Sequence, residues 1–333
     1  MGKLAFVLPN WATLTRDELI FYAKLGEELN YDTIWIPETW GNDAFTIMNT
    51  IAENTTRINF ACGIISVFSR SAANIAQTIA TIDTFSGGRA ILGLGPSTEV
   101  VNENWHGMKH ERPLRRTREY VEIIRLILSG ERATYNGELI KLSNMKFQSK
   151  PLRRNIPVYL ASLGPKNLEL TGQLADGWLP FLCPEGHINK LKINVEDAAV
   201  KAGRSMNDIT VCPYVPALIS SKNPQEADFK IKEFISFYVA AMGPHYYNLI
   251  TSYGFGDDAV NIREAWKNKD LVKCAESVSD ELLELVAVKD TAETANKKLD
   301  SYRDVSDCPI LMFPFKSTKE QIVETLEALA PSD

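Results

Sequence analysis

The stretch RAILGLGPSTEVVNENWHG, residues 89–107, gathers hydrogen-bonding and titratable groups behind a short apolar run. Ser97 and Thr98 can donate hydrogen bonds, Glu99 and Glu103 can accept them, and His106 can donate, accept or titrate near neutral pH. Gly93-Leu94-Gly95 lacks the final glycine of a dinucleotide fingerprint, and Pro96 has no N–H to offer a phosphate. The stretch therefore reads as a strand exit into a polar loop. A plainer reading has Trp105 and His106 only packing that loop onto the body of the protein.

The rest of the chemistry is bounded by composition. Acidic residues number 42 against 36 Lys plus Arg, a formal charge of -6 that gives no reason to expect nucleic acid as a partner. The five cysteines lack a C-x-x-C pair, and the four histidines, at 106, 110, 187 and 245, lack an H-E-x-x-H pair, so no metal site is expected. The apolar run at the start is too short to span a bilayer and Pro9 interrupts it, which points to no membrane role and a cytoplasmic location.

Elements able to position these groups alternate along the chain. KLAFVL, YDTIWI, TRINFACGII and RAILGLG read as strands, and helical spacing separates them, the pattern of parallel strands with helical crossovers. PLRRTREYVEIIRLILSG is a long amphipathic helix, and Asn136-Gly137 between β-prone runs predicts an inserted hairpin. Residues 156–181 add strand, loop, helix and a very short strand, and a strand-like run spans about 209–219. Residues 224–306 are mainly helical before CPILMFPF returns as an eighth strand. The expected fold is α/β, a (β/α)8 TIM barrel in one domain over 1–333, with insertions at 96–112, 130–155 and 220–306. Chemistry in such a barrel collects at the C-terminal ends of the strands.

The joined motifs CGIISVFSRSAANIAQTIATIDTFSGGRAILGLGPS, NWHGMKHERPLRRTREYVEIIR and LASLGPKNLELTGQLADGW resemble the bacterial luciferase-like superfamily. The branch they resemble uses 8-hydroxy-5-deazaflavin, coenzyme F420, and includes methylenetetrahydromethanopterin reductase. The likeness runs from Lys3 to about residue 194 and returns at the last strand and helix; residues 224–306 carry no signature.

The resemblance implies a coenzyme at the C-terminal mouth and a non-prolyl cis peptide after the third strand, which would be Gly63-Ile64. It implies phosphate binding around Ser162, Gly164, Pro165 and Lys166, where the N–H groups of a helix start can hold an anion and Pro165 only shapes the turn. It places Glu38 at the catalytic face, able to bond the deazaflavin ring, and Ser97 is a further coenzyme-binding candidate. Relatives often carry Asp-His where this chain has Glu38-Thr39, and Thr39 cannot do imidazole chemistry. That departure argues against the sugar-phosphate and secondary-alcohol dehydrogenases of the family. Trp11, Ser66 and Arg70 are further candidates for the mouth, and a homodimer is a family expectation.

The leading functional expectation is hydride transfer between deazaflavin C5 and a small organic substrate, with a methylene-tetrahydropterin as one candidate. Glu38, Glu99 and His106 are the proton-transfer or electrostatic candidates. The alternatives are an FMN-dependent luciferase-like monooxygenase and a non-catalytic barrel acting as an interaction protein.

Overall fold

A computed structural model describes residues 2–10 and 12–331; Trp11 lies outside them. Eleven strands are assigned among these residues: β1 (Ala5–Val7), β2 (Thr33–Ile36), β3 (Asn59–Ser66), β4 (Ala90–Gly95), β5 (Arg132–Asn136), β6 (Lys141–Lys146), β7 (Val158–Leu160), β8 (Gly177–Trp178), β9 (Thr210–Val211), β10 (Tyr214–Pro216) and β11 (Ile310–Met312). All but β5 and β6 form one parallel sheet in the order β10-β11-β1-β2-β3-β4-β7-β8-β9.

The sheet curls until its ends meet. β9 pairs with β8, β10 pairs with β11, and only Cys212 and Pro213 separate β9 from β10. Pro213 has no N–H for a ladder, so one strand is split in two at that point. The Tyr214 N–H donates to Pro180 O at 2.8 Å, and a parallel bridge joins Phe181 to Tyr214. Counted this way, eight strand positions close a barrel, as the alternating pattern predicts.

The strands are buried on both faces, which is why they read as unbroken apolar runs. Phe6, Ile34, Phe60 and Leu92 are all fully buried, each stabilising the fold by roughly 1.5–3 kcal/mol. Helices Arg16–Glu28, Ala44–Asn54, Ala72–Phe85, Pro113–Leu128 and Pro165–Leu174 return the chain between strands. Their starts are marked by side-chain caps: Thr15 and Glu18 form a reciprocal capping box, and Ser71 accepts from the Asn74 N–H at 3.2 Å.

The Asn136-Gly137 signal yields an antiparallel hairpin of β5 and β6. A buried carboxylate, Glu119, latches it to helix Pro113–Leu128. Glu119 accepts the Arg115 Nε–H at 2.8 Å and the N–H groups of Glu138, Leu139 and Ile140 at 2.8–3.2 Å. Between β10 and β11 lie six helices, from Pro224–Ala241 to Ala292–Arg303. No described helix is long and apolar enough to cross a membrane.

Candidate functional site

The barrel's third strand makes the floor of a cavity. The Gly63–Ile64 peptide bond is cis, and the β3–β4 register shifts between Cys62 and Ile65. Such a local irregularity re-aims a side chain out of the strand alternation, and Ile64 lines the cavity at the mouth. Two glycines of β4 make the shelf for it. A Cβ on Gly95 would stand 3.2 Å from Ile64 Cδ1, and one on Gly93 would run into the Cys62 carbonyl oxygen. The glycines of the Gly93-Leu94-Gly95 run thus serve close backbone approach and not a phosphate.

The cavity has a volume of about 290 Å³. Its apolar wall includes Val7, Leu163, Leu179, Phe181 and Met312, and its polar edge includes Thr39, Ser97, Thr98 and Asn167. Ligand sites of this kind combine a mainly apolar lining with a few fixed polar groups. Tyr214 stands behind Gly63, and its hydroxyl is buried without a hydrogen-bond partner. Burial pushes the Tyr214 phenol well above its ordinary pKa, so it stays protonated.

Five of the residues singled out from the sequence line this cavity: Glu38, Gly63, Ile64, Ser97 and Ser162. The Glu38 carboxylate is already engaged. Arg70 binds it through both guanidinium nitrogens, Nη2 to Oε2 at 2.9 Å, and the Ala44 N–H donates to Oε2 at 3.0 Å. Arg70 also pairs with Asp43, whose carboxylate caps helix Ala44–Asn54. A carboxylate held this way is a brace between the loops after β2 and β3, and both of its oxygens are committed. The Ser162 hydroxyl is similarly turned inward, 2.7 Å from Thr171 Oγ1.

The remaining expectations fall around the cavity instead of in its lining. Gly164 caps helix Pro165–Leu174, and its missing side chain faces open space. Pro165 and Lys166 are exposed at the same helix start, outside the lining set. Glu99 is exposed and lies off the cavity. His106 is half-buried beside it; burial lowers its pKa, while Glu38 pulls the value up and Arg70 pushes it down. The ring therefore feels the brace without lining the pocket.

The loop after β4 is anchored by residues other than Trp105 and His106. Trp105 is exposed, and the buried side chains are Val101 and the polar Asn102. Asn102 Oδ1 accepts from Ser66 Oγ at 2.9 Å, and Nδ2 donates to Pro96 O at 2.6 Å and to His110 Nδ1 at 2.7 Å. His110 in turn stacks on Phe68 at 5.2 Å. Neither residue type nor spacing distinguishes Asn102 from its exposed neighbours in the sequence.

Sequence reasoning also missed a whole wall. Tyr238, Met242, His245 and Tyr246 line the cavity from helices Pro224–Ala241 and Pro244–Ser252 and the turn between them. Phe181 gathers this wall, with ring centroids 4.6 Å from Tyr238 and 5.6 Å from Tyr246. The only sequence signal is the aromatic content of a segment otherwise read as generic helix.

The profile of the luciferase-like monooxygenase family matches residues 8–307. This chain belongs to the luciferase-like family. It is 32% identical over 289 residues to 5,10-methylenetetrahydromethanopterin reductase of Archaeoglobus fulgidus, covering 85% of each chain. It is 33% identical over 227 residues to the enzyme of the same name from Methanolobus tindarius, covering 67% of this chain and 68% of that one. In fold it is similar to the coenzyme F420-dependent tetrahydromethanopterin reductase of Methanopyrus kandleri, with a TM-score of 0.86, 22% identity and 98% of both chains covered. The resemblance drawn from the strand-exit motifs thus holds across the barrel. Among the described residues no group of His, Cys, Asp and Glu is arranged to hold a metal ion.

Proposed function

We propose that this chain is a coenzyme F420-dependent oxidoreductase that moves a hydride between deazaflavin C5 and an organic substrate, with a methylene-tetrahydropterin as the candidate substrate. The observation that carries the reading is the cavity floor, Ile64 laid on the Gly93 and Gly95 shelf at the C-terminal ends of β3 and β4. The floor would seat a flat ring, and Thr39, Ser97, Thr98 and Asn167 of the lining would supply hydrogen-bond partners to it. The kinship with named reductases supports the same choice.

When bound, the deazaflavin supplies a two-electron hydride carrier that the protein itself lacks. The residues of the chain bind and orient: Gly63, Ile64, Ser97 and Ser162 would face the ring, and the helix start at Gly164, Pro165 and Lys166 would meet its acidic arm outside the cavity. Phe181, Tyr238 and Tyr246, in the same lining, would help to exclude water.

Proton transfer is a minor part of this reading. Glu38 is spent on Arg70 and the Ala44 N–H, Thr39 has no imidazole, burial lowers the pKa of the lining's His245 and favours its neutral form, and burial holds Tyr238 and Tyr246 protonated. Hydride delivery to an iminium carbon needs no dedicated proton donor, which fits a site so equipped. The same proposal includes a single domain over 1–333, a cytoplasmic location and a homodimer.

Titration of the purified chain with oxidised and reduced F420 and with FMN tests it. Selective F420 binding, followed by deazaflavin fluorescence, is the expected result. Selective FMN binding with oxygen uptake would overturn it in favour of a monooxygenase, and binding of neither would favour the non-catalytic alternative.

A further inference from the structure

The cavity lining holds one imidazole, His245, a group that hydride transfer alone does not need. It comes from the insertion between β10 and β11, not from the strand ends. Helix Pro224–Ala241 gives way to helix Pro244–Ser252 through Met242 and Gly243, whose φ of 86° suits glycine. Pro244 opens the second helix, so His245 is its second residue and sits at the positive end of the helix dipole. Arg263 secures the turn: Nη2 donates to Gly243 O at 3.1 Å, and the guanidinium lies over the Tyr247 ring at 4.0 Å. The His245 ring meets Tyr246 edge-on, centroids 5.6 Å apart, and is otherwise exposed. Among the described residues neither of its ring nitrogens makes a hydrogen bond.

The other ionisable groups of the lining are committed. Arg70 and the Ala44 N–H take the Glu38 carboxylate. Burial pushes the phenols of Tyr214, Tyr238 and Tyr246 well up, and they keep their protons. His245 is left as the lining group able both to take and to give a proton near neutral pH. Close packing and the helix start both favour its neutral form, so a proton placed on it is easily passed on.

A substrate of the proposed class consumes such a proton. A 5,10-methylene group bridges two nitrogens, and its reduction to methyl frees one of them. We propose that His245 is a catalytic residue of the hydride transfer, the group that protonates the nitrogen released as the bridge opens. The inference rests on the function proposed above. Hydride forms the new C–H bond, one carbon–nitrogen bond breaks with its electron pair left on nitrogen, and the imidazolium supplies the proton of the new N–H. The imidazole is then reprotonated, and reduced F420 gives up one proton along with its hydride, so charge and protons balance. In the reverse direction the neutral imidazole takes the amine proton.

The test uses the full chain, F420, and 5,10-methylenetetrahydromethanopterin as the probe substrate. The NMR signals of the His245 ring, identified by their loss in His245→Gln, should shift when F420 binds the native chain. His245→Gln, at an exposed position, should keep F420 affinity within about twofold and KM within about threefold while kcat falls about 10²-fold or more. Native reduction should decline as pH rises through the His245 pKa, and oxidation of the methyl product should decline as pH falls through it; the variant should lose both limbs. A variant with native kcat or an unchanged pH profile, or F420 binding that leaves the ring signals unmoved, would overturn the inference while the coenzyme reading stands. A native chain that fails to bind F420 or to reduce the probe would overturn the proposed function, and this inference with it.

Discussion

Glu38 and Arg70 meet as a two-point ion pair at the edge of the cavity, with Nη2 to Oε2 at 2.9 Å and side chains only 10% and 21% exposed. The pair joins the end of β2 to the end of β3, and Asp43 extends it to the first turn of helix Ala44–Asn54. It fixes the two loops that flank Gly63 and Ile64, so its service to the reaction is positional.

Replacement of Glu38 by Gln should therefore act mainly on stability. The expected loss is roughly 1.5–3 kcal/mol, the range for hydrogen bonds to charged groups, read as a lower denaturant midpoint. Turnover should fall by less than about tenfold. A loss of about 10²-fold or more, with an altered pH profile, would instead mark Glu38 as a general acid or base.

The same substitution should move a neighbouring ring. Because the Glu38 charge pulls the His106 pKa up against burial, its removal should lower that pKa further below the ordinary value. An NMR titration of the ring protons reads the shift directly; an unchanged or raised value would disprove the electrostatic link. His106→Gln, outside the cavity lining, should leave F420 affinity within about twofold.

Gly63→Ala should overpack the floor. The added Cβ would collide with the Tyr214 hydroxyl and stand 2.9 Å from Trp35 Cε3. Overpacking of this kind costs about 1–3 kcal/mol. Tyr214→Phe alone should be close to neutral, since the hydroxyl it removes has no partner. In the double variant part of the loss should be recovered, and a double-mutant cycle on thermal stability measures the coupling. Strict additivity would show that the two groups do not touch.

The hairpin latch should respond to acid. Burial pushes Glu119 up, but the Arg115 bond and the N–H groups of Leu139, Ile140 and Glu138 outweigh it and leave the pKa below the ordinary 4.5. A lowered carboxylate pKa contributes stability that is present above about pH 4.5 and lost as pH falls through the folded value. Hydrogen exchange in residues 132–146 should accelerate over that window in the native chain. With Glu119→Gln it should be fast at all pH values; a pH response that survives the substitution would place the switch elsewhere.

How far the sequence reached differs from element to element. The alternation of apolar runs and helical spacing determined the parallel barrel, because strands buried on two faces and helices buried on one must differ in period. Local chemistry also carried the Asn136-Gly137 hairpin and the strand exit at Gly93-Leu94-Gly95. These features depend on neighbours within a few residues, or on a backbone too close for any Cβ.

Tertiary structure decided which polar residues face the cavity. Glu38, Glu99 and His106 look alike as candidates on the page, yet only Glu38 reaches the lining, and Arg70, thirty-two positions away, takes both of its oxygens. Tyr238 and Tyr246 arrive from an insertion whose sequence shows only helical periodicity, because periodicity reports which face is buried and not what it is buried against. Asn102 is likewise indistinguishable from Asn104 in the sequence; its burial follows from meeting Ser66 and His110, contacts that exist only once the barrel has closed.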